Sequence, residues 1–258
     1  MQQEAPLFSI QAEHKITRIQ PEETGQFLGL EMLDSSGNIC LGLYDVDQGK
    51  FTQSDLLPVY YKLAGQFKSN FLVQSFSQLD EPDKPDLIIL NKQFRQEISL
   101  LKTVLIQHCK EWIYLRQYSE NNEVTYFWLN METGQRQQQR EGQASDQMQL
   151  PSVYPEGSGY FSTVAKFLEQ HKVPEIRFKA EYLSVFGKIL ISYYTEVGKK
   201  YVWHFSCFNK QGKLLMKNRA EKAESPSGTT TFMVWNSTLL LLPNQSTLVG
   251  YDLIAEGI

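Results

Sequence analysis

Cysteine is scarce in this chain. Cys40, Cys109 and Cys207 are the only three in 258 residues, odd in number and unclustered. A secreted disulfide framework needs more cysteines at closer spacing, so reduced thiols in a cytoplasmic compartment are expected. Long apolar runs are missing too: nothing approaches the roughly 20 residues that cross a bilayer. The opening MQQEAPLFSIQAEHK has no stretch of signal-peptide length, and no membrane partner is expected. Positive charge is not in excess, with 25 Lys and Arg against 29 Asp and Glu, a net charge of −4 and a pI near 5.7. The pairs Arg136/Arg140 and Lys199/Lys200 are too sparse for a basic stripe, which argues against nucleic acid.

Chemical motifs are missing as well. No CxxC, HExxH, GxGxxG or GxxxxGK[ST] occurs, so no metal and no cofactor are expected. Gly157-Ser158-Gly159 is not the GxSxG of a nucleophile elbow. His204 and Cys207 lie three apart in a strand-like run, which sends their side chains to opposite faces; His108 and Cys109, being adjacent, fail as a ligand pair for the same reason. Asp80, Glu81, Asp83 and Asp86 bunch acidic oxygens in one loop, but without calcium-loop spacing they read as a solvated turn.

What is present is a rhythm of strand and turn. In GQFLGLEMLDSSGNICLGLYDVDQGKFT (25–52), two apolar strands flank Asp34-Ser35-Ser36-Gly37-Asn38, and a second turn at Asp47-Gln48-Gly49 starts a third strand. Leu28, Leu30 and Met32 share one face while Phe27 and Leu33 lie on the other. Ile39 to Val46 is apolar on both faces in the same way, and two apolar faces require burial on both sides. The links are too short for crossover helices, so the strands form antiparallel hairpins, and such sheets must be stacked between one another.

The rhythm continues through strands at 57–63, 70–76, 86–90, 95–100, 104–109, 112–118 and 124–131. Ile98, Leu101 and Leu105 also fit a helical stripe, which leaves that boundary open. The glutamine-rich segment 135–149 reads as an exposed loop or a disordered stretch. Val164, Phe167, Leu168 and His171 then fall at helical spacing within 162–172, ended by Pro174. Strands resume at 177–183, 188–195, 200–208, 213–216, 230–235, 238–242 and 247–254.

Gly49 in YDVDQGK, Gly134 in LNMETGQ and Gly212 in FNKQGK mark equivalent turns. Glycine suits a turn position of positive φ. Leu90-Asn91-Lys92-Gln93 repeats the pattern without glycine, and Tyr251-Asp252-Leu253 echoes Tyr44-Asp45-Val46. At these residues the chain resembles the quinoprotein-like and WD-type β-propellers. Through ITRIQPEETGQFLGLEML, AEYLSVFGKILISYY and TFMVWNSTLLLLPNQSTLVGYDL it is similar to an uncharacterised propeller family, known mainly from Bacteroidetes and carrying only a domain-of-unknown-function label. The resemblance implies a fold and brings no activity with it.

The expected architecture is therefore a single all-β domain over 1–258, a small β-propeller. Five blades lie at about 13–53, 54–101, 102–137, 175–217 and 229–256. One helical insertion spans about 138–174, where a decayed sixth blade is the alternative content. The last blade lacks its outermost strand, and Leu7 to Gln11 is expected to supply it and close the ring. An open sandwich or β-roll is the rival architecture. A pocket in a propeller opens at the axial mouth, which strand order lines with Arg18, Tyr60, Tyr61, Lys62, His108, Arg177 and Glu181. Of these, Arg18, Tyr61, His108, Arg177 and Glu181 are the candidate ligand-binding residues, set against the plainer reading that they merely pack along the channel.

The leading functional expectation is a non-enzymatic binding or scaffold protein with a protein partner or small-molecule ligand. The alternative is a glycosidase-like hydrolase. It would need two carboxyl groups about 5–9 Å apart, and Glu13 and Glu181 are the only acids near putative innermost strands. A third reading holds an anionic small molecule between Arg18 and Arg177.

Overall fold

In a computed structural model the described residues are 5–58, 60–77, 81–138, 148–220, 226, 228 and 230–254. Among them lie five antiparallel sheets and one helix. The chain divides into two compact units, one of Glu13–Gln147 and the other of Met1–Ala12 with Met148–Ile258.

A short strand, β1 (Phe8–Gln11), comes first and belongs to the second of these units. The Glu13–Gln147 unit is three successive four-stranded meanders. The first holds β2 (Lys15–Pro21), β3 (Phe27–Leu33), β4 (Ile39–Asp45) and β5 (Lys50–Gln53); the second β6 (Tyr61–Phe67), β7 (Asn70–Ser75), β8 (Asp86–Leu90) and β9 (Gln96–Leu100). The third holds β10 (Thr103–Cys109), β11 (Trp112–Tyr118), β12 (Val124–Asn130) and β13 (Arg136–Gln137). The middle sheet is covered on both faces by sheets. Phe71, Val73, Ile88 and Leu90 pack on Leu41 and Leu43 of β4, while Leu72, Leu87 and Ile89 pack on Ile113, Leu115 and Phe127 of the third sheet. Alternate residues of β7 and β8 thus enter different cores, the physical reason these strands are apolar throughout.

The turns between third and fourth strands share one construction. An Asp or Asn at the end of the third strand, or directly after it, caps the turn with its side-chain oxygen. Asp45 Oδ1 accepts from Gln48 N, Asn91 Oδ1 from Gln93 N and Arg95 N, and Asn130 Oδ1 from Glu132 N and Thr133 N. The left-handed position is glycine at Gly49 (φ +60°) and Gly134 (φ +71°), but Phe94 (φ +60°) holds it in the second sheet.

The other unit contains β14 (Met148–Gln149), β15 (Ser152–Pro155), the helix α1 (Gly159–Gln170), β16 (Ile176–Val185), β17 (Lys188–Val197), β18 (Lys200–Asn209), β19 (Leu214–Arg219), β20 (Phe232–Trp235), β21 (Thr238–Asn244) and β22 (Thr247–Asp252). One sheet runs β15-β16-β17-β18-β19, the other β1-β22-β21-β20-β14. The expectation for the N-terminal strand holds at the level of pairing: Phe8 faces Gly250 and Ser9 faces Val249 across an antiparallel ladder. Gly250 is required there, because a Cβ would lie 2.4 Å from the Phe8 ring.

Several boundaries move. The segment 138–174 is not a bare helical insertion, since β14 and β15 give edge strands to two different sheets; residues 139–147 lie outside the described residues. Leu57 makes only an isolated bridge to Ile39, so the second sheet starts at Tyr61 and not at 57. The ambiguous stretch around Ile98 and Leu105 is two strands, with Lys102 turning at φ +45° between them. Helix α1 begins three residues before the expected start at 162, because Ser158 Oγ accepts from Phe161 N as an N-cap. It lays Phe161, Val164 and Leu168 on Ile191 and Tyr193 of β17, while the opposite face of that sheet packs Leu190, Trp203 and Phe205 on Phe232, Leu239 and Leu241.

Candidate functional site

Of the residues placed at the mouth by strand order, Arg18, Tyr61 and His108 lie in the Glu13–Gln147 unit, and each is half-buried. Arg18 faces Glu31 across β2 and β3, Tyr61 faces Ser75 across β6 and β7, and His108 faces Ile113 across β10 and β11. Burial holds the His108 imidazole below its ordinary pKa, against the opposing pull of Glu23 and Glu22. Desolvation pushes the Tyr61 phenol up, with Tyr60 and Asp86 adding to it.

Arg177 and Glu181 lie in the other unit, on β16, and β15 lies outside β16 in the sheet. Neither residue is on the edge strand that the sequence order assigned. Arg177 is held by two carboxylates, Nη1 3.1 Å from Glu156 Oε1 and Nη2 3.0 Å from Glu175 Oε2. Glu156 also accepts from the backbone N of Phe178 at 2.7 Å, and that bond, with Arg177, keeps its carboxyl below the usual range.

Glu181 is fully buried (0% exposed), and both of its oxygens are engaged. Oε1 lies 2.6 Å from Lys179 Nζ; Oε2 accepts from Thr231 N (2.9 Å) and Thr231 Oγ1 (2.7 Å). Thr231 precedes β20, so this carboxylate fastens one sheet to the next. Ser192 Oγ meets Thr231 Oγ1 at 2.6 Å and accepts from Trp203 Nε1 at 2.8 Å, which extends the network.

The same device recurs in the Glu13–Gln147 unit, at residues that sequence reasoning passed over. Glu31 on β3 accepts from Thr17 Oγ1 (2.9 Å) and from Leu63 N of the next sheet (2.7 Å). Gln74 on β7 accepts from Leu105 N (3.2 Å) and donates to Thr103 O (2.9 Å), both on the sheet after it. Leu63 and Leu105 each sit where the first hairpin of their sheet shifts register, beside Ala64 and Ile106. A bulge leaves backbone groups without a ladder partner, and the side chain from the preceding sheet satisfies one. Glu13, the other candidate acid, is exposed and accepts from Gln53 Nε2 at 3.0 Å.

Two clefts flank α1. One, of about 440 Å³, is lined by Glu156, Lys166, Glu169, Glu175 and Arg177 together with apolar residues of the helix. The other, of about 340 Å³, is lined by Tyr154, Tyr160, Phe167, Tyr182 and neighbouring aliphatic side chains.

No protein-family model matches the chain, and no curated protein does. Among solved structures it is similar to TolB from Acinetobacter baumannii, at 11% identity over 82% of this chain and 56% of that one, with a TM-score of 0.34. Raptor from Chaetomium thermophilum aligns at 9% identity over 99% of this chain and 29% of its own, TM-score 0.39. An uncharacterized protein of Listeria monocytogenes aligns at 8% identity over 94% and 95%, TM-score 0.35. This chain therefore spans little more than half of TolB and under a third of Raptor. At such scores the overlaps carry no argument about activity.

Among the described residues no group of three or more His, Cys, Asp and Glu side chains is placed to hold a metal ion. Of the acidic loop, Asp80 lies outside the described residues, and Glu81 binds Lys84 and Lys102, each at 2.7 Å. Those two ammonium groups hold the Glu81 carboxyl down to about 2. No disulfide joins the three cysteines, which are all buried. His204 and Cys207 point to opposite faces: His204 stacks on Tyr193, while Cys207 enters the core shared with β20 and β21. No helix among the described residues is long and apolar enough to cross a membrane.

Proposed function

We infer that this chain is a non-enzymatic binding or scaffold protein of the cytoplasm. In this reading it is one small propeller of five blades, akin to the WD-type and quinoprotein-like repeats, which recruits a protein partner through loops at one face. Three features support the architecture: successive antiparallel meanders, a shared turn after the third strand in several sheets, and an N-terminal strand completing the last sheet. The observation that carries the functional reading is the environment of Glu181. A glycosidase acid must reach the sugar oxygen, and this carboxylate is fully buried with Lys179 and Thr231 occupying its oxygens. Buried polar groups here fasten sheets together, which leaves recognition to the surface.

Affinity capture from the native cell, followed by reconstitution with the purified partner, tests the reading. A partner that binds the full chain in a defined ratio at physiological salt is the expected result. Hydrolysis of a chromogenic glycoside by the purified chain, lost in a folded Glu181→Gln variant, would overturn it in favour of the hydrolase.

A further inference from the structure

The two flanks of α1 differ in kind. Charged side chains gather on one side, where Glu156, Lys166, Glu169, Glu175 and Arg177 line the larger cleft. On the other side the 340 Å³ cleft has no ammonium, guanidinium, carboxylate or carboxamide in its lining. Tyr160, Thr163 and Phe167 of the helix form one wall; Tyr154, Tyr182 and Ile191 of the sheet form the other. The Tyr154 and Tyr160 rings stack, with centroids 5.2 Å apart and planes 22° from parallel. Tyr160 is nevertheless 70% exposed, so the stack holds an aromatic face open to solvent at the mouth of the cleft.

We propose that this neutral aromatic cleft binds a small, flat, uncharged aromatic molecule. Its volume falls at the lower end of small-molecule pockets, about 300–1,000 Å³. The chemistry of the walls selects the ligand. A charged molecule would lose its hydration with no counter-charge to meet it, and a saccharide would bury hydroxyls against rings and aliphatic carbons that cannot pair them. A planar ring instead gains stacking and edge contacts from the tyrosine and phenylalanine rings. The tyrosine and Thr163 hydroxyls are enough for the one or two polar atoms that such a ring carries. The inference goes beyond the partner-recruiting role above and does not depend on the sheets closing into a ring.

Indole is a suitable probe, titrated into the isotope-labelled full chain and followed by amide chemical shifts. Shifts confined to residues 153–167, 182 and 189–191 are expected, with a dissociation constant on the order of millimolar for so small a ligand. Tyr160→Ala should weaken binding roughly tenfold. Thr163→Trp, which fills the cleft from an exposed helical position, should abolish it. Both sites are exposed, so both variants should keep the parent's melting temperature. Absent shifts, shifts scattered over the surface, or binding unchanged in both variants would overturn the assignment. So would tighter binding of methyl glucoside or of a polyproline peptide at the same residues.

Discussion

The sheet β6–β9 and the sheet β15–β19 solve one problem in two ways. Each has central strands apolar on both faces. In the first, a sheet covers either side; in the second, a sheet covers one side and α1 the other. Strand β17 reads in sequence much like β7 and β8, because burial sets the residue type while the covering element leaves no mark on the strand. The covering helix is legible only through its own 3.6-residue stripe. Double-faced apolar strands therefore report that cover exists and say nothing of its kind.

The two regions also fasten sheet to sheet with different chemistry, an ion-paired carboxylate at Glu181 and a neutral amide at Gln74. Removing each measures how far charge raises the stakes. Glu181→Ala leaves Lys179 (5% exposed) without this carboxylate and Thr231 without its acceptor. Breaking a buried pair in this way costs about 3–5 kcal/mol. Gln74→Ala strands only neutral groups, at about 1–3 kcal/mol. Urea unfolding should show the larger fall in midpoint for Glu181→Ala, and the double variant Lys179→Met/Glu181→Leu should recover much of the loss. Equal losses at the two sites would erase the distinction.

These fasteners were hidden in the sequence, while the turns were plain, and the reason is physical. An Asp or Asn that caps a turn bonds to backbone two to four residues ahead, so its partner lies at a fixed offset and the pattern repeats as LYDVDQG, LNKQF, LNMETG and FNKQG. Glu31, Gln74 and Glu181 reach partners 29 to 50 residues away, in two residue types and from different positions in their hairpins. No local spacing reveals such a contact. Strand order also misplaced Arg177 and Glu181, because β15 is only four residues long and sits between a polar segment and α1, with no apolar alternation to announce it. The aromatic cleft was equally hidden, since Tyr154 and Tyr160 meet only once β15 and α1 are packed.

A second difference between the regions lies in two histidines, His204 buried and His108 half-buried. His204 is 8% exposed, and burial, with repulsion from Arg219 and Lys217, lowers its pKa from 6.5 to about 4. Its Nε2 meets Thr195 Oγ1 at 2.8 Å, while Nδ1 has no partner. The folded value lies below the unfolded one, so between about pH 6.5 and 4 the unfolded chain binds the extra proton. Stability contributed by neutral His204 is then present above pH 6.5 and lost as pH falls toward 4. A shift of this size is worth at most about 3 kcal/mol. His108 shifts in the same direction, by desolvation alone and against nearby carboxylates. Denaturant midpoints at pH 7 and pH 4.5 should therefore converge more in His204→Gln than in His108→Gln. The reverse order would place the dominant acid sensitivity in the Glu13–Gln147 unit.

The smallest contrast is between two turns at equivalent places. Gly134 takes φ +71° with nothing within 4 Å of where a Cβ would stand, so Gly134→Ala meets only the backbone penalty of the left-handed region, about 1 kcal/mol. Phe94 already bears that penalty at φ +60°, and its ring is half-buried 5.3 Å from that of Phe71. An aromatic pair of this kind returns about 0.5–1.5 kcal/mol beyond its buried area. Phe94→Gly should relax the backbone and forfeit the ring contact together, leaving the unfolding midpoint nearly unchanged, whereas Gly134→Ala should lower it. A clear gain in stability for Phe94→Gly would mean that the ring contributes little and that the second sheet merely tolerates its missing glycine. A clear loss would mean that packing on Phe71 fixed the residue at that turn, with the strained backbone as the lesser effect.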